Sequence, residues 1–304
     1  MVNFSHDRCE DPSELPLRIP SDFAAEHPVT LNPQLRSCLM KKKLLPPFVK
    51  FKQRYVVAPE YKLGNCLIEK VMSTFQVRLF CYLNKPWLFG KGKKGITGGR
   101  WEDRLCKEGS FRKASKGTVL RSLGNDPIFF IVTRNPLQRF VSAFMQLCMN
   151  DEKIYCSDGG RDISCFLPRL RDLLFSYYHN PKKKYSTEGP LQMSHFAPMT
   201  WYCSSFPFLK FVRVIRHDIL QREEMAKTYD SLFKIAGVPM QQRSYIRSEL
   251  TGGLPPHATW NKADRIDIQN ELLSNNTLLE IFLQLYYHDF VIFGYDFPTP
   301  RYTQ

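Results

Sequence analysis

FFIVTRNPLQRFVSAF, residues 129–144, decides how this chain folds. Ile128 to Val132 are five β-favouring residues in a row, suited to a strand buried on both faces of a parallel sheet. Asn135-Pro136 ends the strand, and Pro136 suits the first turn of a helix. Leu137, Phe140, Val141, Phe144, Leu147 and Cys148 then recur at helical spacing, so one apolar stripe faces the core and Arg139 and Ser142 lie off it. Arg134 is thereby placed where a strand ends and a helix begins. Free backbone N–H groups and the helix dipole favour an anion there, and a guanidinium adds a planar pair of donors.

A second turn of the same kind lies upstream in YVVAPEYKLGNCLIEKVMSTFQVRLFCYL, residues 55–83. Tyr55 to Ala58 and Cys66 to Ile68 read as short strands on either side of a polar turn. Ser73-Thr74 can cap a helix that carries Val77, Phe80 and Cys81 inward. Lys70 and two hydroxyls at a strand-to-helix turn are what a chain needs to hold a phosphate and neutralise charge on its bridging oxygen.

Together the two turns resemble the nucleotide-binding pair of the Golgi-type carbohydrate sulfotransferases related to the chondroitin and HNK-1 enzymes. EKVMSTFQ is similar to that family's 5'-phosphosulfate loop, usually PKVACTNW, and RNPLQRFVSAF to its 3'-phosphate motif, usually R(D/E)PFERLVSAY. HFAPMTWYC, residues 195–203, resembles the family's HWxPQ...C segment, and LYYHDFVIFGYDFP, residues 285–298, its closing LYxxDFxLFGYxxP. The likeness runs in the same order over roughly residues 51–299.

The resemblance implies an α/β fold with a mostly parallel central sheet flanked by helices, and PAPS (3'-phosphoadenylyl sulfate) as sulfate donor with no metal. It implies that Lys70, Val71, Met72, Ser73, Thr74 and Phe75 line the cofactor, with Lys70, Ser73 and Thr74 on the 5'-phosphosulfate. Arg134, Arg139 and Ser142 would form the other side, Arg134 and Ser142 holding the 3'-phosphate. Lys70 is the expected cation on the leaving oxygen. His195 is the expected base, with His257 in reserve, whereas His179, His217 and His288 read as surface or packing residues. The sequence departs from the pattern at Glu69, which puts a carboxylate where proline is common, at Phe75-Gln76 in place of Asn-Trp, and at Asn135 in place of an acid.

Composition narrows the partners. The chain has 304 residues and a net charge of +14, a field that attracts polyanions. The motifs favour an anionic glycan acceptor over nucleic acid. Residues 90–117, dense in Gly, Lys and Arg, read as a basic loop over the acceptor groove. Gly90 and Gly95 have Walker A spacing, but Ile96 stands where its lysine must be, which argues against a nucleotide kinase or triphosphatase. The remaining alternative is a noncatalytic glycan- or polyanion-binding protein whose cofactor turns have decayed, with Glu69 as its support.

The nine cysteines show no zinc spacing; Cys148, Cys156, Cys165 and Cys203 would fit disulfides in an oxidising lumen. Asn3-Phe4-Ser5 and Asn275-Asn276-Thr277 are glycosylation sequons that suit the same compartment. No apolar run of about 18 residues is visible and the first residues lack a signal core, so a Golgi location would require an anchor outside this sequence, and the chain reads as a fragment. Residues 1–50, with seven prolines, read as a stem or poorly ordered arm, and residues 51–304 as one catalytic domain. Further elements are expected as a strand from Lys210 to Ile215, a helix through Phe166 and Tyr177, another from Met225 to Ala236 stopped at Gly237, and a long last helix from about Ala263 to Tyr287.

Overall fold

The computed structural model describes residues 43–89, 95–97, 105–106, 109, 111–149, 162–181, 189–204, 212–218, 220–252 and 263–299. Its centre is a five-stranded sheet built from β1 (Tyr55–Ala58), β2 (Leu63–Cys66), β3 (Arg112–Lys113), β4 (Ile128–Arg134) and β5 (Val212–His217), in the order β3-β1-β2-β4-β5. The three strands that matter for the site, β2, β4 and β5, run parallel; β1 joins β2 and β3 antiparallel at the edge. The expected parallel core with an α/β layering is therefore present.

Successive residues of β4 serve opposite faces, as a strand requires. Phe130 stacks on Phe80 of α1 (Ser73–Asn84) and meets Tyr229 and Phe233 of α6 (Arg222–Ile235). Phe129 turns the other way, toward α2 (Lys116–Leu123). Gly64 is where that face is tightest, since a Cβ there would lie 2.6 Å from Phe129 and 3.0 Å from Leu123. This explains why β2 covers Leu63–Cys66 rather than the expected Cys66–Ile68. Gly64-Asn65 looks like turn sequence, but the glycine admits Phe129, and the buried Asn65 donates to Phe130 O at 3.2 Å.

Beyond β4 the chain runs through α3 (Pro136–Phe144) into a π-helical turn, Met145–Met149. Helices α4 (Ile163–His179), α5 (Gly189–Phe196), α7 (Met240–Thr251), α8 (Ala263–Ser274) and α9 (Asn276–Phe293) complete the described elements. Phe140, Phe166, Phe196, Phe282 and Tyr286 form an aromatic cluster that joins α3, α4, α5 and α9. The expected single last helix is broken at Asn275, whose side chain accepts from Thr277 N and Leu278 N and so starts α9 afresh. Strand β5 continues to His217, two residues past its expected end; residues 210 and 211 lie outside the described residues.

Most of the basic loop at 90–117 also lies outside them, although its last residues form β3 and open α2 instead of loop. Of the arm, residues 43–50 are described and docked on the domain. Leu45 is buried and donates to Gln284 O at 2.9 Å, and Trp201 Nε1 donates to Pro46 O at 2.7 Å. Disulfides join Cys66 to Cys203 and Cys81 to Cys106, and Cys148 is also disulfide-bonded. Cys165, expected to pair, is a free and exposed thiol on α4, while Cys156 lies outside the described residues.

Candidate active site

The site forms where β2 and β4 end. Leaving β2, the chain makes the turn Glu69–Met72, in which Lys70 and Met72 adopt left-handed backbone (φ 67° and 63°). Each such non-glycine residue costs on the order of 1 kcal/mol, and the fold pins them. Met72 is the residue before α1, and no side chain caps that helix. Ser73 and Thr74 are thus its first two residues rather than its cap, half-buried at an N-terminus whose backbone N–H groups lack a capping side chain.

The other helix start differs from expectation. Asn135 accepts from both Leu137 N (3.0 Å) and Gln138 N (3.2 Å), which occupies two of the α3 donors that would have favoured a phosphate. Asn135 is therefore a cap, and Arg134 is the cationic side chain of this turn. Arg134 is 8 % exposed, and its guanidinium donates weakly to Lys70 O (Nη1, 3.4 Å) and has a buried Nε with no partner among the described residues.

Arg139 and Ser142 lie off the apolar stripe but are buried, not solvated. Arg139 donates from Nε to Glu69 O at 3.0 Å and from Nη1 to Ala197 O at 2.8 Å, with its carbon 5.8 Å over the Tyr202 ring. It straps the Lys70 turn to the segment that follows His195. Its Nη2 is buried without a partner among the described residues. His195 is half-buried at the end of α5, with Nδ1 3.2 Å from Ser194 Oγ.

Two parts of the closing motif hold these pieces in place. Asp289, wholly buried, accepts from Met199 N (2.7 Å) and Thr200 N (3.0 Å), and Tyr286 OH donates to Phe196 O at 2.6 Å. Arg216 donates to the carbonyls of Phe293 and Gly294 and lies over Tyr295, whose hydroxyl is 2.9 Å from Thr133 Oγ1. Phe75 and Gln76, the departures from the expected loop, are buried against Tyr229, edge-to-face and by a hydrogen bond respectively.

Cations dominate the site, although Asp218 acts on Arg134 and Asp289 on Arg139. Lys70 Nζ donates to a neutral partner, Gln146 Oε1, at 2.6 Å from the π-helical turn. Burial, then Arg134, then Arg139 lower its pKa to about 7. Burial, Arg265 and Arg139 bring Arg134 down to about 10. Arg265, which sequence pattern did not single out, reaches this cluster from α8, a helix packed on α3. Glu69, the one carboxylate in the turn, is spent elsewhere: its Oε1 takes Lys52 Nζ at 2.9 Å and Arg54 Nη1 at 3.0 Å. Cations crowded together and partly desolvated, with mutual repulsion and unused donors, are an arrangement that can hold an anion with several oxygens. His257 lies outside the described residues. A mainly apolar cavity of about 460 Å³ lies elsewhere, between α2 and the sheet, lined by Tyr55, Val119, Phe129, Ile131 and Val212 among others.

Fold and site define an α/β protein in which a strand-turn-helix lysine lies close to a strand-end arginine. The sulfotransferase family model matches residues 53–296, and the chain belongs to that family. It is 27 % identical over 270 residues to carbohydrate sulfotransferase chst-1 of Caenorhabditis elegans, covering 85 % of this chain and 80 % of that one. It is 29 % identical over 266 residues to uncharacterized protein C18B2.2 of the same organism, covering 83 % and 72 %. No solved structure matches it.

Proposed function

We propose that this sulfotransferase moves the sulfuryl group of PAPS to a hydroxyl of a glycan, with a chondroitin-like glycosaminoglycan as the acceptor class, in the Golgi lumen. The observation that carries the reading is the cluster of half-buried Lys70 with buried Arg134 and Arg139, in which Arg134 Nε and Arg139 Nη2 have no partner among the described residues and Glu69 is held by Lys52 and Arg54. Such a cluster fits a nucleotide with phosphate groups at both ends. The likeness to chst-1 supports a carbohydrate acceptor, and the net charge of +14 suits one that is anionic. The disulfides and the exposed Asn275 sequon suit an oxidising, glycosylating lumen. No helix among the described residues is long and apolar enough to cross a membrane.

PAPS, when bound, supplies a sulfuryl group on a good leaving phosphate. Lys70 sets its ammonium on the oxygen that gains charge as the bond to sulfur breaks, and the α1 N-terminus with Ser73 and Thr74 holds the 5' end. Arg134 and Ser142 hold the 3' end. His195 takes the proton of the acceptor hydroxyl as the new sulfur–oxygen bond forms. Arg139 acts by position, keeping the Glu69 and Ala197 carbonyls on one guanidinium. The decayed-site alternative loses its support, because Glu69 is neutralised by Lys52 and Arg54.

The test is transfer of labelled sulfate from PAPS to a panel of chondroitin, dermatan, heparan and HNK-1-type glycans. Label on one class identifies the acceptor. No label on any, with no binding of adenosine 3',5'-bisphosphate, rejects the proposal.

A further inference from the structure

His217 reads from sequence as a packing residue, and the fold puts it beside Arg134. It ends β5 as Arg134 ends β4, and the parallel register pairs the two. Paired residues on neighbouring strands project to the same face, so imidazole and guanidinium stand side by side at the C-terminal edge of the sheet. That face is the one covered by α1 and α6. Two adjacent nitrogens there are buried without a partner among the described residues, Nδ1 of His217 and Nε of Arg134. A buried polar atom left unpaired costs about 1–3 kcal/mol, and a shared multi-oxygen anion would relieve both.

We propose that His217 is a further nucleotide-binding residue, donating from its imidazole to the 3'-phosphate gripped by Arg134. This rests on the PAPS reading given above and extends it to a residue that decides whether the 3'-phosphate is recognised. The charged groups facing His217 are Arg134 from β4 and Arg222 from α6. Asp218, its neighbour in the chain, turns its carboxylate to Leu220 N at 2.9 Å. Burial and then those two arginines hold the imidazole neutral, with its pKa lowered to about 3. A dianionic phosphate on Arg134 reverses the local field and favours the imidazolium, so binding takes up a proton at His217.

Calorimetry of the full chain with adenosine 3',5'-bisphosphate and with 5'-AMP, in buffers of different ionisation heat at about pH 6, tests this. Lys70 is mostly charged there, and subtracting the variant from wild type removes the proton changes of the phosphates, which also titrate near pH 6. His217→Leu is expected to weaken bisphosphate binding about tenfold, to take up fewer protons than wild type, and to leave 5'-AMP affinity unchanged. His217→Asn, which keeps a short donor, recovers part of the affinity and none of the proton uptake. Equal losses for both nucleotides, or none for either, overturn the assignment. A wild-type chain that ignores the bisphosphate altogether rejects the sulfotransferase reading itself, a result distinct from either.

Discussion

Lys70 combines a left-handed backbone with an ammonium crowded by two arginines, and the second feature suits a turn that binds an anion. Because its pKa falls to about 7 in the free protein, the lysine is largely neutral above that pH and must regain a proton when a phosphate arrives. Affinity for adenosine 3',5'-bisphosphate should therefore weaken as pH rises from about 7 toward 9, by up to about tenfold per unit. Titrations across that range should show the slope, and Lys70→Arg should flatten it, since a guanidinium stays charged. Arg139 is a different case. Helical periodicity places it off the core stripe, and the fold buries it against two carbonyls that no periodic pattern registers. Arg139→Ala is expected to cost about 2–4 kcal/mol in a denaturant titration, because it strands those carbonyls. Sulfate transfer should fall with it, and Arg139→Lys should recover part of the stability but less of the activity.

At the scale of elements, the two helix starts have divided the labour. Asn135 caps α3 and so occupies its first backbone donors, whereas no side chain caps α1, whose N–H groups stay open to a ligand. The Cys66–Cys203 bond links the end of β2, four residues before Lys70, to the end of the segment that begins at His195. It closes 137 residues of sequence, and loop entropy assigns such a closure about 4–5 kcal/mol. Cys66→Ala with Cys203→Ala should lower the unfolding free energy by roughly that amount and weaken bisphosphate binding, as a melt with and without ligand would show. Asp289 ties α9 to the same segment through two backbone N–H groups. Asp289→Ala leaves both unsatisfied in the core, and about 3 kcal/mol should be lost in a denaturant titration.

For the whole molecule, the excess of positive charge acts at a distance that no single contact does. Glycan capture should depend steeply on ionic strength: raising salt from about 0.05 to 0.5 M should raise the acceptor KM several-fold while the donor KM, set in a partly buried site, moves less. Similar shifts in both would mean that the acceptor is not held by charge. The arm's last residues belong to this level too. Residues 43–50 carry prolines and lysines that look like linker, yet Leu45 and Pro46 are bound to α9 and Trp201, contacts made by residues about 155 to 240 positions away that local composition cannot show.

Local sequence determined a good deal. The apolar run of β4, the proline at the start of α3, the inward residues of α1 and the glycine that stops α6 are decisions taken within a few residues, and they are read directly from side-chain shape and backbone preference. The sulfotransferase motifs, being short and contiguous, were legible for the same reason. Only tertiary structure decided that Glu69 turns to Lys52 and Arg54, that Arg139 bridges two turns, that Cys66 finds Cys203, and that Arg265 and His217 join Arg134. Those pairings depend on which chain segments the sheet register and helix packing bring within a few ångströms, and that proximity is a property of the folded whole.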